Sequence, residues 1–351
     1  MDDFLGALYP TLARNLPKLG IANLPTPVSM HELALPAGMF NVLVKHDEAT
    51  SSTYGGNKIR KLEYLLSRAL MRGARRIATF GAAGSNHALA TAIHADNIGL
   101  ECTCFLVHQE RTPKIPYTLN MHRKLGTEIV TYGKGTERVP LFRKYLQGRD
   151  TWVIPLGGTC WLGSVGFVAA GLELAQQIAE GLLPKPARIY IAAGTTGSVA
   201  GLATGLAAAG LDTQVHAIQV ADNPFASERK LRRLIAKTTT LLNRIDPTFD
   251  TDYRPDTLVW RDEFLAGGYA KVDDATSGAI DVARESLGLT LETTYTAKAL
   301  AAMLHDLQAP AYGGGTYLFW NTCNAAELPV SAARPEPLGN IPEQFERYYL
   351  R

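Results

Sequence analysis

The chain has 351 residues, of which 46% are hydrophobic and 19% are charged, an ordinary globular composition that excludes wholesale disorder, a fibrous repeat and a coiled coil. Its 35 basic and 33 acidic side chains give a formal net charge of +2, so the charge gives no reason to expect nucleic acid or an anionic membrane as a partner. A chain of this length corresponds to about two domains.

The N-terminus and the cysteines favour a reducing compartment. The first residues, MDDF, are acidic and lack the apolar run of a secretory signal. No apolar stretch approaches the ~20 residues that a membrane span needs. The four cysteines are too few and too irregularly spaced for a disulfide framework or a zinc site. We therefore expect a cytoplasmic protein with buried free thiols, no metal and no membrane partner.

Apolar runs alternate with helical patterns along most of the chain. In chain order, the predicted strands lie at 40–45, 76–80, 100–107, 128–131, 151–155, 188–192, 214–219 and 316–320. The predicted helices lie at 58–72, 87–97, 116–125, 136–147, 163–180, 198–209, 230–243, 274–286 and 298–307. Strands that alternate with helices indicate βαβ units, so we expect an α/β fold with two successive parallel sheets. The proline-rich residues 328–343 are expected to be irregular.

A lysine follows a pair of glycines at the start of the first long helix. In GGNKIRK, at 55–61, the glycines allow a close backbone approach, and Lys58 opens the helix. The positive potential of a helix N-terminus lowers the pKa of an ammonium group, which makes the amine a usable base and Schiff-base nucleophile. An ordinary surface lysine is the open alternative, and we expect the neighbouring Arg60 and Lys61 to be solvated.

Two strand-to-helix turns carry hydroxyl groups and free N–H groups. The turn at 194–198 (GTTGS) suits one phosphate, although a tight turn without a ligand explains it equally well. It matches neither the dinucleotide fingerprint nor the P-loop. The turn at 84–87 (GSNH) suits a carboxylate, with a helix cap by Ser85 or Asn86 as the alternative. Tyr295 precedes a later helix, where a packed ring is more common than a catalytic acid.

Taken in order, these segments resemble pyridoxal-phosphate enzymes of the tryptophan-synthase-β fold type, which is fold type II. More narrowly, they resemble the group that contains 1-aminocyclopropane-1-carboxylate deaminase and D-cysteine desulfhydrase. The resemblance rests on GGNKIRKLEYLL (55–66), GSNHALATA (84–92), IPLGGTCWLGSVGF (154–167), AAGTTGSVAGL (192–202) and TTYTAKAL (293–300). It implies two domains with parallel-rich sheets flanked by helices. The large cofactor-binding domain would comprise 1–61 and 171–351, and the small α/β domain 62–170.

The resemblance also implies roles for individual residues. Lys58, Tyr295 and Ser85 would be catalytic, with Lys58 joined covalently to pyridoxal 5'-phosphate. Asn86 would contact the phenolic oxygen of the cofactor, and Thr296 its pyridine nitrogen. The phosphate would be held by Gly194, Thr195, Thr196, Gly197 and Ser198. The substrate carboxylate would be held by Ser85, Asn86 and His87, with further substrate contacts from Trp161, Tyr295 and Thr322.

Two positions favour one reaction of this group. The desulfhydrase-type members resemble one another in a Tyr-Thr pair, as at 295–296 here, and in a threonine at the position of Thr322. A threonine hydroxyl can donate to an unprotonated pyridine nitrogen, which gives a weaker electron sink than a glutamate would. The resemblance therefore implies a lyase: Lys58 removes the α-proton of a small amino acid, the β-substituent leaves, and D-cysteine would yield sulfide, pyruvate and ammonia.

Several alternatives stay open at this point. Around the substrate half, Trp161 and the segment at 321–324 (NTCN) depart from the family pattern, as does Glu292, which stands where the family has aspartate. Deamination of 1-aminocyclopropane-1-carboxylate, side-chain substitution and racemisation of a different amino acid therefore stay possible reactions. A homodimer is expected by analogy with the family.

Overall fold

The computed structural model describes residues 3–133, 150–249, 257–309, 314–324 and 341–349. Within these ranges the helices are α1 (Phe4–Leu8), α2 (Pro10–Asn15), α3 (Lys58–Met71), α4 (Asn86–Asp96), α5 (Lys114–Lys124), α6 (Trp161–Ala179), α7 (Gly197–Ala208), α8 (Glu228–Ile245), α9 (Asp274–Ser286), α10 (Thr296–Gln308) and α11 (Glu343–Glu346). The strands are β1 (Val28–Leu35), β2 (Gly38–His46), β3 (Arg76–Ala82), β4 (Glu101–Val107), β5 (Glu128–Thr131), β6 (Thr151–Val153), β7 (Arg188–Ala193), β8 (Gln214–Gln219), β9 (Leu258–Arg261) and β10 (Tyr317–Asn321). The helix predicted at 136–147 and most of the tail predicted at 328–343 lie outside the described residues.

The first compact unit comprises Met1–Tyr64 and Thr159–Ala325. Its sheet has the strand order β1-β2-β10-β7-β8-β9, and all neighbours are parallel except β1 and β2, which form an antiparallel hairpin. Successive side chains face opposite sides of a strand. Tyr190 and Phe319 accordingly pack on the side of α9 and α10, whereas Ile191 and Trp320 pack on the side of α6 and α7. Both faces are covered, which is why these strands read as continuous apolar runs.

The second unit comprises Leu65–Gly158 and Ala326–Arg351. Its four strands are all parallel, in the order β5-β4-β3-β6. Cys102 and Cys104 lie on β4, both are buried, and their sulfur atoms are 3.8 Å apart, as expected for two residues on one face of a strand. The sheets and their flanking helices confirm the α/β class.

The predicted domain boundaries stay a prediction, but the compact units differ from them in three places: the first boundary falls at 64/65, the second at 158/159, and residues 326–351 join the second unit. The helix α6 is continuous across position 170 and packs closely on α7, because Cβ atoms on Gly201 and Gly205 would lie 2.1 and 2.2 Å from the carbonyl oxygens of Ser164 and Val168. The described residues near the C-terminus belong to the second unit. The hydroxyl of Tyr348, just after α11, accepts the backbone N–H of Gln109 at 2.9 Å.

Five elements were not predicted from the sequence: α1, α2, α11, β1 and β9. The three helices are only 5, 6 and 4 residues long, too short for a clear period. β1 lies at the edge of its sheet, where polar residues are tolerated, and its sequence VSMHELAL lacks an apolar run.

Among the described residues, one helix is long and apolar enough to cross a membrane. This is α6, with 19 residues, so the expectation that no apolar stretch approaches that length was wrong. However, 78% of the apolar window is buried inside the protein, where it packs on α7 beneath the six-stranded sheet. Its apolar character is therefore that of a core helix.

Candidate active site

Lys58 is the first residue of α3, and the diglycine before it is packed tightly against two other segments. A Cβ on Gly55 would lie 2.1 Å from the carbonyl oxygen of Glu48. Gly56 has a φ of +92°, and a Cβ there would lie 2.8 Å from the carbonyl oxygen of Cys323. No side chain fits at either position, so both glycines are needed to place Lys58 where it is.

The environment of Lys58 shifts its protonation equilibrium towards the neutral amine. Burial lowers its pKa from the usual lysine value to about 8, and the negative charge of Glu292 opposes that shift. A lysine with a lowered pKa holds an appreciable fraction of free amine near neutral pH, which suits both nucleophilic attack on an aldehyde and proton abstraction.

The turn between β7 and α7 carries the predicted phosphate-binding residues Gly194, Thr195, Thr196, Gly197 and Ser198. The Nδ2 of Asn57, the residue before Lys58, donates to Oγ of Ser198 at 2.9 Å. The hydroxyl groups of Thr195 and Thr159 are 2.6 Å apart. The structure therefore brings the Lys58 loop and this turn into direct contact within the first unit.

Lys61 is a candidate phosphate-binding residue that was not predicted from the sequence. It is 1% exposed, so the expectation of a solvated side chain was wrong. Its Nζ lies 2.9 Å from where a Cβ on Gly197 would stand, so the absence of a side chain at Gly197 lets the ammonium reach the turn. Burial and the charge of Lys58 lower the pKa of Lys61, and a bound anion would offset both effects. The spacing of Lys58 and Lys61, three residues apart on one helix face, is the signal that could have found it.

Arg60 is also buried, contrary to expectation, and it belongs to a cluster of balanced charges. Its guanidinium donates to Asp47 at 3.0 Å and to Glu173 at 2.8 Å, and Lys45 pairs with Glu173 at 2.5 Å. All four side chains are at most 1% exposed. Two cations face two carboxylates, so each buried charge is compensated by a partner of opposite sign instead of by water. The cluster anchors the first turn of α3, which begins at Lys58.

Tyr295 lies against the turn at 194–198, because a Cβ on Gly194 would be 3.1 Å from its ring. Its hydroxyl is 2.9 Å from the hydroxyl of Tyr269. Burial, Tyr269 and Glu292 all raise the pKa of Tyr295, so its phenol stays protonated at neutral pH. Tyr269 was not singled out from the sequence, since it lies in no periodic element and no motif.

The side chain of Glu292 caps the start of α10. Its carboxylate accepts the backbone N–H groups of Thr294, Tyr295 and Thr296 at 2.8, 2.9 and 2.7 Å. The Thr296 hydroxyl also donates to it, at 3.1 Å, and Thr296 is fully buried. Donation from Thr296 to a pyridine nitrogen, the predicted role, therefore requires this bond to break. Glu292 is thus the acidic group that accepts the hydrogen bonds at the start of α10, a role that was not predicted from the sequence.

Thr322 and Trp161 both lie in segments next to the residues described above. The N–H of Asn57 donates to the carbonyl oxygen of Thr322 at 3.3 Å, so the segment after β10 lies beside the Lys58 loop. Trp161 is the first residue of α6, close in sequence to Thr159, which contacts the turn after β7. The structure thus brings both residues into the same region of the first unit.

The GSNH turn belongs to the second unit, between β3 and α4. Ser85 is the N-cap of α4, because its Oγ accepts the N–H of Ala88 at 3.2 Å, so the capping alternative describes this residue. Asn86 accepts a hydrogen bond at Oδ1 from Nζ of Lys114 at 2.5 Å. This bond directs the Nδ2 donor of Asn86 away from Lys114.

His87 is buried behind the same turn. Its Nε2 is 3.0 Å from the hydroxyl of Thr79, and that hydroxyl donates to the carbonyl oxygen of Ile154 at 3.0 Å. Because the threonine proton is used in this way, the Nε2 of His87 carries a proton and donates to Thr79. The imidazole is therefore held in one orientation by β3.

The residues of the first unit fit an aldehyde that carries a phosphate ester. Lys58 offers an amine of lowered pKa for a Schiff base. The turn at the start of α7 offers hydroxyl groups and a helix N-terminus, and the buried ammonium of Lys61 adds a positive charge at the position where Gly197 leaves room. A phosphate bound at this turn would favour the charged form of Lys61, whose pKa is lowered by burial and by the charge of Lys58.

Comparison with known proteins agrees with this chemistry. Residues 21–322 match the family described as pyridoxal-phosphate dependent enzyme. The chain is 32% identical over 325 residues to D-cysteine desulfhydrase of Salmonella choleraesuis and 31% identical over 324 residues to that of Salmonella paratyphi A, covering 89% of this chain and 95% of each relative. A crystal structure of an ACC deaminase homologue matches with a TM-score of 0.75 and 28% identity, covering 93% of this chain and 96% of that one. Diaminopropionate ammonia lyase of Escherichia coli, with a TM-score of 0.63 and 13% identity over 94% of this chain and 91% of that one, shares the fold. The chain therefore belongs to the pyridoxal-phosphate dependent enzymes of fold type II, and its cofactor is pyridoxal phosphate.

Proposed function

We propose that the protein is a lyase that eliminates the β-substituent of a small amino acid, with D-cysteine or a close relative as substrate. The observation that carries the proposal is the Lys58 amine, with a pKa of about 8, in a loop hydrogen-bonded to the hydroxyl-lined turn through Asn57 and Ser198. The desulfhydrases among its relatives support the choice of substrate.

Each group has a role in this proposal. When bound, pyridoxal phosphate supplies an electron sink for the charge that develops at the α-carbon of the substrate. Lys58 holds the cofactor and then takes the α-proton. Tyr295, which stays protonated beside Tyr269, gives a proton to the leaving group. Ser85, Asn86 and His87 hold the substrate carboxylate, with Ser85 also assigned as catalytic.

The remaining assignments follow the same proposal. The residues Gly194, Thr195, Thr196, Gly197 and Ser198 hold the phosphate together with Lys61. Trp161 and Thr322 line the substrate side. The domain division at 61/62 and 170/171, a cytoplasmic location and a homodimer are also proposed, the last by analogy with the family. Light scattering of the purified protein measures the mass in solution, and a monomeric mass would exclude the dimer.

The test uses the visible absorption band of the bound cofactor together with the products. The wild-type protein should show the band and release sulfide and pyruvate from D-cysteine. Lys58→Ala should lose both the band and the activity. Lys185→Ala serves as the matched control, because that lysine is half exposed and pairs with a surface aspartate. A Lys58→Ala protein with an unchanged band would overturn the assignment of the amine.

The second candidate reaction is opening of 1-aminocyclopropane-1-carboxylate to 2-oxobutyrate and ammonia. It is favoured by the structural match to an ACC deaminase homologue and by the carboxylate of Glu292 directly behind Thr296. Assaying D-cysteine, L-cysteine and the cyclopropane substrate side by side distinguishes the two, since pyruvate with sulfide and 2-oxobutyrate are different products.

A further inference from the structure

The β1–β2 hairpin of the first unit carries a hydrogen-bonded cluster that the proposed lyase site does not use. Oγ of Ser29 is 2.6 Å from Nε2 of His46, and Nδ1 of His46 is 2.6 Å from Oε1 of Glu48. Nε2 of His31 is 2.7 Å from the same serine oxygen. A hydroxyl, an imidazole and a carboxylate joined in this order are the components of a nucleophilic triad.

The chemistry of the groups fixes the direction of the protons. An ionised carboxylate only accepts, so Nδ1 of His46 donates its proton to Glu48. The Nε2 of a neutral His46 is then an acceptor, and the Ser29 hydroxyl donates to it. The serine oxygen in turn accepts the Nε2–H of His31. Burial and the neighbouring His46 lower the pKa of His31, which keeps it neutral at pH 7.

The register of the hairpin positions three of these side chains. Ser29 pairs with Val44 in the antiparallel ladder, and the backbone N–H of His46 donates to the carbonyl oxygen of Pro27 at 3.0 Å. Residues two apart on a strand, and residues paired across it, share a face. Ser29, His31 and His46 therefore lie on one face by backbone geometry rather than through a flexible loop.

The cluster lies at the surface, and its carboxylate faces the imidazole of His46. The side chains of His46 and Glu48 are 18% and 14% exposed, and Ser29 is a partly exposed residue on the edge strand of the sheet, so the cluster lies at the surface of the unit. The second oxygen of Glu48, Oε2, is buried with no hydrogen-bond partner in the described part of the chain. The charge of this carboxylate is therefore directed at His46, where it stabilises the imidazolium that forms when the serine loses its proton.

We propose that Ser29, His46 and Glu48 form a second reactive centre, in which Ser29 takes acyl or phosphonyl groups from activated esters. The Oγ attacks the carbonyl carbon and forms an ester bond while its proton moves to Nε2 of His46. The bond to the leaving alcohol breaks, and the alcohol departs with that proton. Water then adds to the acyl group, again giving its proton to His46, and the acid leaves as Ser29 is restored. The Nε2–H of His31, which donates to Oγ of Ser29, stabilises the negative charge that develops on that oxygen as its proton moves to His46.

The test labels the cofactor-loaded protein with a fluorophosphonate probe and identifies the modified residue by peptide mass spectrometry. In this reaction Oγ of Ser29 bonds to phosphorus and fluoride leaves. We expect the adduct on Ser29 and none on Ser52, an exposed serine that serves as the internal control. Ser29→Ala should abolish labelling, and His46→Gln should slow it by about 100-fold or more, the usual contribution of a general base.

Three outcomes would overturn the proposal: no adduct on Ser29, labelling at the wild-type rate in His46→Gln, or loss of labelling in Lys58→Ala. The visible cofactor band reports on folding in Ser29→Ala and His46→Gln and should be unchanged in Ser29→Ala, whereas far-UV circular dichroism reports on folding in Lys58→Ala, which lacks the band. The Lys58→Ala protein should still be labelled at Ser29, because the triad does not use that amine. Loss of labelling in Lys58→Ala would likewise count against a separate centre, whereas failure of the lyase assay alone would leave the labelling result unaffected.

Discussion

Replacing Glu292 with glutamine should lower the pKa of the Lys58 amine. Burial sets that pKa at about 8, and the charge of Glu292 is the contribution that raises it. With a pKa of 8, about 10% of the amine is neutral at pH 7, against about 0.03% for a lysine at 10.5. A nearby opposite charge commonly shifts a pKa by about one unit or more, so Glu292→Gln should bring the value to about 7 and the neutral fraction to about half.

The assay follows the capture of pyridoxal phosphate by the cofactor-free protein as a function of pH. The initial rate of appearance of the visible band should rise with a midpoint of about 8 in the wild type and about one pH unit lower in Glu292→Gln. The glutamine oxygen can still accept the N–H groups at the start of α10, so the fold should survive. Glu285→Gln, at an exposed carboxylate, is the control and should match the wild type. A midpoint near 10.5 in the wild type, or an upward shift in Glu292→Gln, would refute the reasoning.

Three further predictions concern the same unit. Lys61→Met should weaken cofactor binding roughly 10-fold to 100-fold in an absorption titration, because it removes a buried ammonium worth about 1.5–3 kcal/mol to a charged partner; an unchanged affinity would place the phosphate elsewhere. Gly197→Ala should have a similar effect, since the new methyl would stand 2.9 Å from the ammonium of Lys61; binding as tight as in the wild type would contradict the close approach. Glu173→Gln should cost about 3–5 kcal/mol in urea unfolding, because Arg60 and Lys45 keep buried charges without their shared partner. Since these cations hold the pKa of Glu173 at about 2, below its usual 4.5, its contribution is complete above pH 4.5 and should be lost as the pH falls towards 2.

Much of the architecture could be predicted because it depends on local patterns. The helix at 274–286 and the strands at 128–131 and 214–219 match the structure residue for residue. Strands covered on both faces are apolar throughout, and an alternation of such strands with helices permits few arrangements. The edge strand β1 was missed because it is not apolar throughout. Its polar residues Ser29 and His31 belong to a cluster that only its pairing with β2 creates.

The candidate site also contains residues that the sequence identifies and residues that only the fold reveals. Lys58 and the turn at 194–198 could be recognised from short motifs, since glycines and hydroxyl residues at helix starts have a direct chemical meaning. The burial of Arg60 and Lys61 could not, because their partners Glu173 and Gly197 are more than 100 positions away in the chain. Glu292 is a similar case, as its charge matters to Lys58 only through the fold.

The sequence by itself predicted the fold class from its alternation of strands and helices, and its resemblance to a family implied the cofactor and, as the amine, Lys58, because that resemblance rests on short motifs. Only the tertiary structure decided which charges are buried, which hydroxyl groups are already bonded, and that Tyr269 meets Tyr295. The reason is that burial and pKa depend on groups distant in the chain, whose approach is set by the packing of sheets and helices and not by neighbouring residues.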